Sequence, residues 1–287
     1  MPWSADARSN CCAIWSRAEL SRVSTPLASS PNGGAGDGPG NPSAANSKIG
    51  LGIQFSEVEK RYGMRLALRG VSLSIAAGEC VALVGHNGSG KTTLLKIAAQ
   101  LTHPSRGKIS FHDRESPISL EDVKSRVGMV GHHTLLYEEL TAEENLIFFA
   151  KLFGLENPAE RARQALQPVG LAGRASDLVR TFSRGMRQRL SIARALLASP
   201  GLLLLDEAGT GLDPEGQHWL GAAIQRLRES GCTILMSTHG RNETQGAVTR
   251  AIRLEGGKIT HDSGAGGDPN EVLVMAAVRD SGEGEER

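Results

Sequence analysis

Eight consecutive residues, Gly85-His86-Asn87-Gly88-Ser89-Gly90-Lys91-Thr92, have the types and spacing to hold a polyphosphate. Three glycines let backbone N–H groups turn inward toward phosphate oxygens, and a helix starting at the end of the loop adds its partial positive charge. Lys91 is placed to reach β- and γ-phosphates. The Thr92 hydroxyl, followed by Thr93, is placed to ligate Mg²⁺. With 35 glycines in 287 residues, the bare pattern could arise by accident. The context argues otherwise: the apolar run Val81-Ala82-Leu83-Val84 predicts a buried strand before the loop, and residues 92–100 predict a helix after it.

A second group of residues carries complementary chemistry. Leu202-Leu203-Leu204-Leu205-Asp206-Glu207 is an apolar strand that ends in two acids. Asp206 can hold Mg²⁺, usually through water, and Glu207 can orient and polarise an attacking water. The bland alternative is a strand that simply ends in polar residues. Upstream, Ser183-Arg184-Gly185-Met186-Arg187-Gln188-Arg189 opens a predicted helix through Ala198, with Ser183 suited to the N-cap and Gly185 leaving backbone open to an anion.

The elements that must position these groups alternate between strand and helix. Strands are expected over residues 53–58, 68–75, 81–84, 202–205 and 233–236, with a closing hairpin over 251–254 and 258–260 turning at Gly256-Gly257. The signal is mostly helical over 123–197. Within it, Thr141 and Glu144 form a capping box ahead of Leu146, Phe149, Ala150 and Phe153 on one helix face. The expectation is an α/β nucleotide-binding domain over 48–262 with an inserted helical subdomain. Residues 1–47, rich in Ser, Ala, Pro, Gly and Asn, predict a disordered extension, and 263–287 a flexible tail. Arg8, Arg17 and Arg22 among serines give the extension a faint transit-peptide character.

Composition narrows the function. The formal net charge is +1, with no basic excess to suggest nucleic acid. No apolar run approaches a membrane span, so a membrane role requires a partner that crosses the bilayer. The cysteines, Cys11, Cys12, Cys80 and Cys232, form no Cys-x-x-Cys, which argues against zinc or covalent haem and fits a reduced compartment.

Ser183-x-Gly185-x-x-Gln188-Arg189, then a helix, then four leucines and Asp206-Glu207, resembles the ATP-binding cassette (ABC) ATPases. The resemblance covers residues 51–260 and implies a P-loop NTPase fold: a RecA-like sheet, an antiparallel β subdomain and an inserted helical subdomain. It implies ATP and Mg²⁺ as ligands. It makes Tyr62 the aromatic residue stacked on adenine and Gly211-Leu212-Asp213 the loop that meets an opposite subunit. It makes His239 the switch histidine at the γ-phosphate, a catalytic partner to Glu207 and Lys91. It also implies that Ser183 and Gly185 press on ATP held by a second copy, in a head-to-tail homodimer docked on a separate membrane permease at the cytoplasmic face.

Two departures stand out. Counting back from Tyr137, His132 occupies the position where the family carries a metal-contacting glutamine, and Ala208 replaces the proline usual after the Asp-Glu pair. The segment from Gly131-His132-His133 to Leu146, with Phe182-Ser183-Arg184-Gly185-Met186, resembles the ATPase subunits of cytochrome c maturation systems, the haem exporter ATP-binding proteins. Drug, lipid and polysaccharide exporters share much of the same pattern. Soluble ABC proteins acting on ribosomes or DNA are a rival class, but they generally carry two cassettes or long insertions, and this chain has neither. A cassette that binds ATP without turnover is countered by the filled positions at Glu207 and His239.

Overall fold

The computed structural model describes residues 50–113, 116–131, 133–238 and 246–274. The expected N-terminal extension, the last part of the expected tail, His132 and His239 lie outside the described residues.

β1 (Leu51–Tyr62) and β2 (Arg65–Ile75) pair antiparallel. With β4 (Arg106–Asp113) and β5 (Ser116–Ile118) they form a four-stranded antiparallel sheet in the order β2-β1-β4-β5. Its inner face alternates with its outer face: Val71, Leu73 and Ile75 are buried, while Ser72 and Ser74 between them are exposed. That is the period of a half-covered strand. β4 and β5 are not among the strands expected from sequence, because Ile109 and Phe111 in β4 and Ile118 in β5 are their only strong apolar signals.

The second sheet has six strands, ordered β10-β9-β3-β8-β7-β6. β3 (Cys80–Val84), β7 (Leu202–Asp206) and β8 (Thr233–Ser237) are buried at every position. This is why they read as unbroken apolar runs without alternation. They run parallel with β6 (Val127–Val130) and β9 (Arg250–Glu255), while β10 (Lys258–Asp262) closes one edge antiparallel. The register sets Leu83 and Asp206 both beside Ser237, so the C-terminal ends of three neighbouring strands finish level. In open α/β sheets ligands bind at that end. α1 (Lys91–Ala98) and α6 (Pro214–Glu229) pack on this sheet. Phe55, Phe111, Leu94, Leu95, Leu204 and Leu235 join both sheets in one core.

The helical subdomain is a separate core. Its described helices are α3 (Ala142–Leu152), α4 (Pro158–Leu166) and α5 (Arg184–Leu196), which bury Leu146, Phe149, Leu166, Phe182 and Leu190 among themselves. α2 (Leu120–Lys124) precedes β6. The helical stretch expected from 123 is thus interrupted, because Val127–Val130 pairs with β7 as a strand of the main sheet. The expected capping box is present: Thr141 Oγ1 accepts from Glu144 N, and Glu144 accepts from Thr141 N. Hydrogen bonding to the Thr141 backbone N–H, and then to its side chain, holds the Glu144 carboxyl below its ordinary pKa.

Two polar residues fix this subdomain. Asn145 is fully buried, accepts from Tyr137 N at 2.8 Å and donates to the carbonyls of Tyr137 and Thr141 at 2.9 Å each. Arg194 on α5 donates to the Met129 carbonyl of β6 at 3.0 Å, and its guanidinium lies 5.1 Å from the centre of the Phe149 ring. Burial lowers its pKa. It links the helical core to the edge of the main sheet.

Candidate functional site

The strand-loop-helix unit predicted around Lys91 is present: β3 ends at Val84, the loop follows, and α1 begins at Lys91. Gly85, Gly88 and Gly90 have φ of 147°, 81° and 114°, angles that side chains rarely adopt. Gly85 also has no room for a side chain, since a Cβ there would strike the Leu254 carbonyl of β9. At Gly90 a Cβ would stand 2.9 Å from the Ala67 carbonyl. The β1–β2 sheet and the β9–β10 hairpin therefore clamp the loop from outside.

The donor set fits a polyphosphate. Gly90 caps α1 without a side-chain acceptor, and no acid lies in the first turn, so the helix start retains its affinity for anions. Lys91 is buried, and its ammonium donates to the carbonyls of Gly85 at 2.6 Å and His86 at 3.3 Å. It lies along the floor of the loop. The Ser89 hydroxyl is buried with no hydrogen-bond partner. His86, Asn87, Gly88 and Thr92 are exposed along the mouth, and Thr93 is half-buried.

The second constellation meets the first. The Thr92 hydroxyl donates to Asp206 Oδ1 at 3.1 Å, and the Ser237 hydroxyl donates to the same oxygen at 2.8 Å. Ser237 also accepts from Glu207 N at 2.9 Å. Asp206 and Ser237 are buried, Glu207 partly so. A hydroxyl and a carboxylate, two hard oxygen ligands, suit Mg²⁺ that keeps the rest of its shell as water and phosphate. Glu207 has φ 54°, a left-handed conformation that costs a side-chain-bearing residue about 1–3 kcal/mol. In the sequence Ser237 stands out only as a neighbour of His239, its signal being a hydroxyl that follows the apolar run Ile234-Leu235-Met236.

Ser183 caps α5, its hydroxyl accepting from Met186 N at 3.2 Å, and it is exposed. Gly185 lies inside the helix, where glycine costs about 1 kcal/mol against alanine. A Cβ there would meet nothing closer than Leu212 Cδ2 at 3.7 Å. Packing within this chain does not require the glycine. Nearby, Gly211 has φ 75° and lies directly under the Arg184 guanidinium, which occupies the space of a Cβ. That contact ties the start of α5 to the loop after Glu207, and no sequence pattern signals it. Asp213 has a local role as well, capping α6 by accepting from Gly216 N at 2.8 Å.

Tyr62 stands half-exposed at the end of β1, with the Lys60 ammonium 5.1 Å from its ring centre. His133 is exposed. The segment after it is held by the helical subdomain, through the Ser191 hydroxyl donating to Thr134 O at 3.1 Å and through Asn145. Among the described residues no helix is long and apolar enough to cross a membrane, and no cluster of three or more His, Cys, Asp or Glu could hold a metal.

Comparison with known proteins agrees with this geometry. The family profile described as ABC transporter matches residues 68–210. The Nod factor export ATP-binding protein I of Burkholderia orbicola is 40% identical over 208 residues, 72% of this chain and 68% of that protein. The linearmycin resistance ATP-binding protein LnrL of Bacillus subtilis is 32% identical over 209 residues, 72% of this chain and 67% of its own length. A dimeric, post-hydrolysis structure of the ATP-binding cassette MJ0796 bound to ADP and Pi superposes with a TM-score of 0.65 at 27% identity, covering 73% of this chain and 97% of that one. With the phosphate loop brought beside the acid-ended strand, the chain belongs to the ABC transporter family, as an ATP-hydrolysing, ATP-binding subunit.

Proposed function

We propose that this chain powers an exporter by closing on ATP as a head-to-tail pair docked to a separate integral-membrane permease at the cytoplasmic face. The observation that carries the hydrolytic half is the convergence of Lys91, Thr92, Asp206, Ser237 and Glu207 on one end of the parallel sheet. The loop N–H groups and Lys91 hold the phosphates, with Lys91 turning from the Gly85 carbonyl to the β- and γ-oxygens. Thr92 and Asp206 would hold Mg²⁺, which when bound offsets the charge developing on the transferred phosphoryl group. Glu207 orients water in line with the γ-phosphate. Ser237 fixes the backbone on which Glu207 stands.

The pair is supported by the exposure of Ser183, by the spare room at Gly185, and by the dimeric state named for the MJ0796 cassette. Tyr62 is assigned to adenine, Asp213 and its loop to the opposite copy, His239 to the γ-phosphate, and His132 to the segment between nucleotide and permease.

Export is supported by the names of the relatives, one an export protein and one a resistance protein. The cytochrome c maturation reading rests on the short segment around His132, and neither of those relatives carries such a name. A drug, lipid or polysaccharide exporter is therefore the favoured assignment. Affinity capture of the full chain from its own membranes tests it. An exporter permease whose ATP-dependent transport in vesicles requires this chain is expected. Capture of a haem-handling assembly would reinstate the cytochrome c reading, and ribosome-bound or DNA-bound recovery would overturn both.

A further inference from the structure

The nucleotide site has a basic neighbour outside its motifs. β1 and β2 turn at Gly63-Met64, and the two residues facing each other across that turn are Tyr62 and Arg65. Arg65 is exposed, and its guanidinium reaches over the phosphate loop: a Cβ built on Gly88 would stand 2.9 Å from Arg65 Nη2. Other cations nearby are engaged. Lys60 donates to the His103 carbonyl at 2.7 Å, and Arg253, beside the end of β3, is paired with Glu255 at 2.7 Å. Among the described residues Arg65 has no ion-pair partner, while its fork of donors lies between the ring assigned to adenine and the loop assigned to phosphate. A nucleotide with its base on Tyr62 and its phosphates in the loop must cross the gap that Arg65 borders.

We infer that Arg65 is a further nucleotide-binding residue, donating to the phosphate chain of the ATP held by its own chain. The inference rests on the reading that ATP binds in the phosphate loop. A guanidinium is well matched to phosphate oxygens, being planar and charged at every relevant pH. Its exposure limits the gain through solvent screening, so the expected effect is moderate.

The test is MgADP and MgATP affinity of the full chain by calorimetry, with turnover measured at saturating ATP. Arg65→Ala should weaken both nucleotides about five- to tenfold and leave kcat within about twofold. Arg65→Lys should recover most of the affinity, because it restores the charge. Arg65→Gln, similar in reach but neutral, should not. Wild-type affinity in Arg65→Ala overturns the inference. So does equal recovery by Gln and Lys, which would mean that the side chain merely covers Gly88. Lys91→Ala, measured alongside, separates this from the underlying reading. If Lys91→Ala loses affinity and Arg65→Ala does not, only the role of Arg65 fails. If neither loses affinity, the phosphate-loop assignment fails with it.

Discussion

Two helix starts in this molecule, those of α1 and α5, are built in opposite ways. The α1 start is enclosed: Gly90 gives it no side-chain cap, Lys91 beneath it is buried, and β2 and β9 clamp its loop. The α5 start is self-capped by Ser183 and faces solvent, with room to spare at Gly185. An enclosed start is prepared for a ligand that the chain itself holds. An exposed start with an unneeded glycine leaves room for the second copy proposed above. Under the proposed pairing, the contrast means that one chain carries halves of two sites, one facing inward and one facing outward.

The contrast breaks most sharply at Glu207. Glu207→Gln keeps the side-chain shape and removes its charge. Hydrolysis should fall about 100-fold or more, the scale of losing a positioned general base, with ATP affinity retained. An ATP-dependent dimer should then persist on size exclusion. Adding Ser183→Arg should dissolve that dimer by placing bulk where α5 must approach. Normal turnover in Glu207→Gln defeats the catalytic assignment, and an inactive monomer with ATP bound defeats the outward-facing half.

The inward half is tested by Lys91→Ala, which should weaken MgADP by about tenfold or more, since a charge-assisted phosphate contact is lost in an enclosed loop. Equilibrium binding reads it, and unchanged affinity would sink the phosphate-loop assignment.

Asn145 probes the platform of the outward half. Asn145→Ala strands the Tyr137 N–H, while the Tyr137 and Thr141 carbonyls keep the Leu140 and Asn145 N–H groups, and should cost about 1–3 kcal/mol in urea unfolding. MgADP affinity should stay within about twofold, because the phosphate loop rests on the other core. A comparable loss of affinity would show that the two regions are not independent.

The smallest effect belongs to the hairpin behind the phosphate loop. The Arg250 guanidinium holds the Asp262 carboxyl below its ordinary pKa. A lowered folded value means that this stability is complete above the usual carboxylate range, near pH 4, and is lost as pH falls through the lowered value. Asp262→Asn should cost about 0.5–1 kcal/mol at pH 7 and flatten the acid limb of stability against pH. An acid limb identical to wild type would assign that loss to other carboxylates.

The inward site was legible because its chemistry is compressed into contiguous residues. The glycine spacing before Lys91 and the acids ending a leucine run name themselves. Ser237 was not legible as a partner, because the register of β7 beside β8 joins it to Asp206 across 31 positions. Nor was Arg184 over Gly211, a contact between a helix start and a loop that sequence periodicity cannot relate. β4 was hidden for a different reason. It places its polar residues on the open face of an antiparallel sheet, leaving only Ile109 and Phe111 to signal it.

The left-handed backbone at Glu207 sets stability against activity. Glycine would relax that turn and return on the order of 1 kcal/mol, yet it would remove the carboxylate proposed to orient water. Engineering this chain for heat resistance alone would therefore favour dead variants at position 207. A library selected only for folding should enrich Glu207→Gly, while one selected for turnover should exclude it.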